Sequence, residues 1–323
     1  MKRSHLIAAL AVFILSLLLP LVLQTDYVLQ VLFRIYLFAA LGLAWNLVGG
    51  YAGQLSLGHA AYFGAGAYSL ALFSGKLGVS PWLAVLIGVV VAAVGAFLIG
   101  GVSFRLRGPY FVLATIAFAE VLRLIAKNLP EVTGGDVGVQ VPALFHGNVN
   151  RAFYWAAVVL TGLAFATIVA ISRTRFGYYL LAIREDEDTA LSLGIGAARN
   201  KLAALLISAA LTALAGALYA SLFLFIVPDQ VLSIDVSNEI AIVAMLGGAG
   251  TMLGPIVGAV VLESASEIFK NFFKEAHLLI YGVLLVIVVL FLPEGIVGTL
   301  TAFLRRRALL GKVKPSAKGA TAS

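Results

Sequence analysis

The sequence has no cysteine, so disulfides, thiolate nucleophiles and cysteine-ligated metals are excluded at the outset. Charge is scarce too: Asp, Glu, Lys and Arg make up 11% of 323 residues, against roughly 25% in soluble domains. Catalytic signatures are missing as well. No His-Glu-x-x-His pair occurs, and no glycine-rich loop closes on the Lys-Ser/Thr pair that cradles phosphate. Gly53-Gln54-Leu55-Ser56-Leu57-Gly58 has the wrong spacing before its serine for a nucleophile elbow. The chain therefore does not hydrolyse a nucleotide by that route, and an ATP-driven step would have to be carried by another polypeptide.

What is present is apolar. Hydrophobic residues are 62% of the chain and mean hydropathy is +1.05, beyond the range of a soluble globular domain. The apolar runs are continuous over about 20 residues, which suits membrane helices and not the roughly 10-residue alternating strands of a barrel. The fold class is therefore all-α, a polytopic bundle of about 8–10 membrane helices with glycine-broken or re-entrant segments. Candidate spans are Leu6 to Leu23, Val28 to Val48, Leu55 to Phe73, Trp82 to Gly101, Pro109 to Lys127, Phe153 to Ile171, Leu202 to Val227, Glu239 to Leu262 and Leu278 to Leu292. The membrane domain covers 1–304 and a basic tail, expected to be disordered, covers 305–323.

The net charge of +7 resides in loops and tail, so membrane topology explains it and nucleic acid is not implied. With Lys2 and Arg3 inside ahead of the first span, the loops holding Arg105 and Arg107, and Arg173 to Lys201, also fall inside, as the positive-inside rule asks. Nine full crossings would then place the tail, with Arg305, Arg306 and Arg307, outside. One segment must fail to cross, and the candidate is Ser237 to Phe272: a half-helix to Leu246, a Gly247-Gly248-Ala249-Gly250 break at membrane depth, and a return through Pro255. Such backbone survives in a bilayer only where protein or a water-filled cavity satisfies it. Gly49-Gly50-x-x-Gly53 has a similar texture in the other half of the chain, and paired glycine-broken segments point to a transport pathway; close helix packing is the plainer alternative.

Polar residues within the spans are few. Arg34 can snorkel to an interface. Glu120 and Arg123, one turn apart, either neutralise each other or face a substrate. His59 is isolated from the other histidines. Asn46, Gln54 and Ser56 are hydrogen-bonding groups beside the glycine break, and with Gly53, Gly58, Glu120, Gly247, Gly248 and Gly250 they make the set of pathway candidates.

The densest charge is Arg184-Glu185-Asp186-Glu187-Asp188, in the polar loop 173–201. The pattern predicts about three helical turns from Ile183 to Leu193, with acids at the N-terminal end where they complement the dipole and Gly194 as a left-handed stop. Leu191 and Leu193 would present a small apolar surface. A short helix of this kind suits docking into a groove on a cytoplasmic protein; an ordinary solvated loop is the alternative.

At this point several motifs, in order, resemble one family: Gly53 through Tyr68, Leu106-Arg107-Gly108-Pro109-Tyr110, Thr133-Gly134-Gly135, Ala182-Ile183-Arg184-Glu185-Asp186-Glu187, Leu246 through Thr251, and Pro293-Glu294-Gly295. They are similar to the permease subunits of branched-chain amino-acid ABC importers, in particular the member of the permease pair with the Arg-Glu-Asp-Glu loop. The likeness runs from Trp45 to Gly298. It implies a multi-pass protein of the cell inner (plasma) membrane, whose termini the charge rule already puts in the cytoplasm. It also implies a second permease subunit, two cytoplasmic ATP-binding subunits, and a periplasmic or extracellular substrate-binding protein.

On that resemblance no cofactor is bound by this chain, ATP and Mg are used by the partner ATPases, and Arg184, Glu185, Asp186, Glu187, Leu191 and Gly194 belong to the ATPase-coupling loop. The basic tail would be held near anionic membrane lipids. Importers of urea or short amides resemble the same family, and a stand-alone secondary transporter or channel is the alternative of a different class.

Overall fold

The computed structural model describes residues 25–104, 108–272 and 295–301, together with Phe13, residues 15–20 and Gly282. Helix α1 (Asp26–Asn46) continues into a widened π turn (Leu47–Tyr51), and α2 (His59–Ser69) continues likewise through Leu70–Lys76. Then come α3 (Pro81–Ser103), α4 (Pro109–Asn128) and α5 (Val149–Ser172). Two short helices, α6 (Arg175–Glu185) and α7 (Glu187–Ser192), lead to α8 (Ala197–Phe223), α9 (Ile234–Gly247) and α10 (Gly254–Phe272). Strands β1 (Val139–Gln140) and β2 (Phe225–Ile226) form a two-residue antiparallel pair.

Six helices among the described residues are long and apolar enough to cross a membrane: Asp26–Tyr51, Pro81–Ser103, Pro109–Asn128, Val149–Ser172, Ala197–Phe223 and Pro228–Gly247. The all-α polytopic architecture is thus as the sequence predicts. The expected spans 6–23 (but for Phe13 and 15–20) and 278–292 (but for Gly282), Arg105, Arg107 and the tail lie outside the described residues. Residues 15–20 are helical and lie against α1 and α5, where Tyr36 donates to Ser16 Oγ and Tyr154 to the Ser16 carbonyl.

Local sequence sets several boundaries. Pro81 and Pro109 open α3 and α4 at the position where a missing N–H costs nothing. Asn148 and Thr174 cap α5 and α6 through side-chain oxygens. The core is built on α1 and α8. Every residue from Leu37 to Val48 is buried, and α8 packs against α1, α2, α3 and α5. It crosses α2 closely enough that a Cβ on Gly66 would collide with the Ala213 carbonyl, and one on Gly216 with that of Phe63. Helices α3 and α4 are peripheral, with Leu86, Val90, Phe97, Leu113 and Leu124 exposed as a lipid-facing surface would be.

Two expectations need correction. The third span does not begin at Leu55: residues 53–58 are neither helix nor strand, and the helix starts at His59. The glycine break after α9 is present and lies against the end of α1, but the return from it is not the short leg predicted. Helix α10 runs antiparallel to α1 along its whole length. Asn46 bonds to Thr251, Gly42 abuts Pro255, Arg34 pairs with Glu263 at 3.1 Å and Tyr27 bonds to Glu267. Nineteen residues rise about 28 Å, as far as the spanning part of α1, so the second leg is a full-length helix and the segment is a glycine-broken hairpin, not a re-entrant one. Gly295 lies back beside Gly248, where a Cβ would crowd the Met245 carbonyl. The chain thus returns at residue 295 to the end that holds the break.

Candidate functional site

That end of the bundle is a junction of the two glycine clusters. The turn after α1 brings Gly50 beside Gly250, and Asn46, fully buried, bridges them. Its Oδ1 accepts from the Gly250 N–H at 2.7 Å and its Nδ2 donates to the Thr251 carbonyl at 2.8 Å. One carboxamide thereby satisfies both peptide groups of a backbone that no helix can serve. Thr251 completes the turn: its hydroxyl donates to the Gly248 carbonyl and accepts from the Gly254 N–H.

Into this junction reaches Arg184, the penultimate residue of α6, whose Nη1 donates to the Gly50 carbonyl at 2.8 Å. Glycine is required on both sides of it. Gly250 has φ +81° and a Cβ there would collide with the guanidinium; Gly53 has φ +67° and a Cβ there would lie 3.0 Å from Arg184 Cγ.

The predicted three-turn helix from Ile183 to Leu193 is instead two helices broken at Asp186, which has extended backbone and caps α7. Its Oδ1 accepts from the Thr189 N–H at 2.6 Å, and that bond to the charged form holds its carboxyl below the usual range. Cap chemistry wins here over continuation of the helix. Gly194 is left-handed with φ +82°, as the stop requires. Glu187 turns inward: its Oε2 lies 2.6 Å from Lys201 Nζ, whose side chain is 1% exposed on α8. Glu185 is exposed, as are Leu191 and Leu193.

The irregular segment 53–58 climbs from the junction into the bundle. It is held by Gln54 N–H to the Val48 carbonyl, Trp45 Nε1 to the Ser56 carbonyl at 2.7 Å, and Leu57 N–H to Thr115 Oγ1. Gly58 abuts the Thr115 backbone. Gly53 and Leu55 are exposed, and Ser56 is buried. His59 is buried between helices. Ser208 gives its hydroxyl proton to the Ala44 carbonyl, so His59 Nε2 is the donor to Ser208 Oγ at 2.9 Å.

Glu120 lies far from the junction. Its pairing with Arg123 is as the one-turn spacing suggests, with Nε to Oε2 at 2.9 Å. Arg123 also pairs with Asp229, which pairs with Lys127 at 2.8 Å, and Lys127 in turn lies 3.2 Å from Asp136. Lys76 donates to the carbonyls of Glu131 and Val132 at the same end.

Arg184, Asn46, Gly50, Gly53, Gly248 and Gly250 are therefore brought together, and Glu120 stands apart from them. Sequence reasoning missed five links: Asn46 to the second glycine cluster, Arg184 to Gly50, Arg34 to Glu263, Lys201 to Glu187, and Asp229 to Arg123. The local signals were Arg34, inside an apolar span, and Lys201, at the start of one, since a cation there demands a partner.

The family model for the permease component of the branched-chain amino acid transport system matches residues 27–289. The high-affinity branched-chain amino acid transport system permease protein LivM of Salmonella typhimurium is 31% identical over 288 residues, covering 80% of this chain and 67% of that protein. The probable branched-chain amino acid transport permease protein LivM of Methanocaldococcus jannaschii is 22% identical, over 84% of this chain and 93% of its own. The permease protein LivH of Salmonella typhimurium is 25% identical, over 81% and 91%. No solved structure matches. With its glycine junction, its polar loop and a family match across most of its length, the chain belongs to the branched-chain amino acid transport system permease family.

Proposed function

We propose that this chain is the permease subunit of an ATP-driven importer of branched-chain or other hydrophobic amino acids in the cell inner membrane. It works with a second permease, two cytoplasmic ATP-binding subunits that use ATP and Mg, and a soluble substrate-binding protein outside. Both termini, with the 173–201 loop, are cytoplasmic. The observation that carries this reading is the family match over residues 27–289; the exposed Leu191 and Leu193 on a capped short helix support a docking role for the loop.

ATP binding closes the partner dimer, α7 moves with it, and the bundle swings between its inward- and outward-open forms. The pathway runs along the irregular segment 53–58, with Gly53, Gln54, Ser56 and Gly58 beside the substrate. Those of its peptide groups that are not bonded to Val48, Trp45 or Thr115 can meet a zwitterion's ends. Asn46, Gly247, Gly248 and Gly250 bound the pathway at the junction, and Glu120 lies toward its other mouth.

The test is reconstitution of the chain with its partners in vesicles. Labelled leucine should accumulate only with ATP and Mg, and the chain alone should move none. Solute movement by the chain alone would make it a stand-alone transporter or channel, and accumulation of urea but not leucine would make it an amide permease.

A further inference from the structure

We propose that Arg184 is the positioning residue through which the loop between α5 and α8 grips the glycine junction, so that α1 and the α9–α10 hairpin travel with the loop as one body. The inference rests on the permease reading and adds a mechanical path to it. A cation in the last turn of a helix ordinarily serves its own C-terminal carbonyls. Arg184 instead leaves α6 and donates to Gly50, 134 residues away in sequence. The bond is charge-assisted and stronger than one between neutral groups.

Arg184 is exposed, yet two glycines bracket its side chain. Gly250 faces it with no side chain, and Gly53 lets the chain cross its stem. Asn46 locks Gly250 and Thr251 to the end of α1, so a force on Arg184 reaches α1 and the hairpin together. The loop's other fastening is Glu187 to the buried Lys201 on α8. With two fixed points three residues apart in sequence, the loop is a lever. The Arg-Glu-Asp-Glu run then divides its labour: Arg184 and Glu187 hold the bundle, Asp186 shapes α7, and Glu185 faces outward.

The test uses the assembled transporter in vesicles and reads leucine uptake per ATP hydrolysed. Arg184→Ala should lower that ratio about tenfold, the loss expected when one hydrogen bond to a charged group no longer biases a two-state element. Arg184→Gln, which keeps the stem against Gly53 but not the charge, should do the same, and Arg184→Lys should recover most of it. A ratio unchanged from wild type in both Ala and Gln variants overturns the proposal.

A second readout separates coupling from folding. Because the chain has no cysteine, Leu193→Cys and Leu253→Cys carry unique spin labels. Their distance should be the same with ADP and with trapped ATP when Arg184 is present, and should differ between those states in Arg184→Gln. A distance that shifts equally with and without Arg184 overturns the lever. Failure of the wild-type assembly to accumulate leucine would instead overturn the permease reading on which the lever rests.

Discussion

Asp186 shows how one side chain can redirect a helix. The residue stands where a continuous helix would place it mid-turn, but its carboxylate finds the Thr189 N–H and the backbone breaks to let it cap. Because its folded pKa is depressed, the charged form is favoured in the fold. The stabilisation is present above the ordinary carboxylate range and fades as pH falls through the depressed value. Amide exchange over 187–192, taken relative to the intrinsic rate at each pH, should therefore quicken on acidification. Asp186→Ala should quicken it severalfold at neutral pH. Asp186→Asn, an equally good cap, should keep it slow and remove the acid dependence. Exchange in the Asn variant that still follows pH in the carboxylate range would assign the effect to another group.

At the scale of elements, α7 is fastened to α8 by a pair of unequal burial: Lys201 is 1% exposed at the side chain and Glu187 is 24% exposed. Removing the acid strands a buried cation, whereas removing the cation strands a carboxylate that water can reach. Glu187→Gln should accordingly cost about 3 kcal/mol of unfolding stability, the low end for a broken buried pair, and Lys201→Met should cost less. The double variant should recover part of the Glu187→Gln loss. Denaturant unfolding in detergent measures all three, and equal costs for the two single variants would count against this account.

At the scale of the molecule, the bundle has two chemically distinct ends. One holds the α6–α7 loop and the glycine junction. The other holds Lys76, the Lys127–Asp136–Asp229 charges and the β pair. Thiol labelling can read this directly in a chain with no native cysteine. Leu193→Cys and Leu253→Cys should react with an impermeant reagent from one face of oriented vesicles. Val137→Cys, with Val137 83% exposed, should react from the opposite face. Labelling of Val137→Cys and Leu193→Cys from the same face would break the arrangement.

The sequence by itself determined that the chain is a helical membrane protein, where most of its spans lie, that its polar loop is singular, and that Glu120 and Arg123 stand within reach of each other. All of these follow from local hydropathy or from neighbours within one helical turn, which the order of residues encodes directly. Only the tertiary structure decided that the two glycine clusters meet, that Asn46 and Gly250, 204 residues apart, share a hydrogen bond, and that the break lies against the end of α1. The physical reason is that apolar side chains satisfy lipid and protein neighbours alike. Hydropathy therefore marks a span without naming what packs on it, and a polar atom's partner across the bundle leaves no trace in the spacing of its own helix.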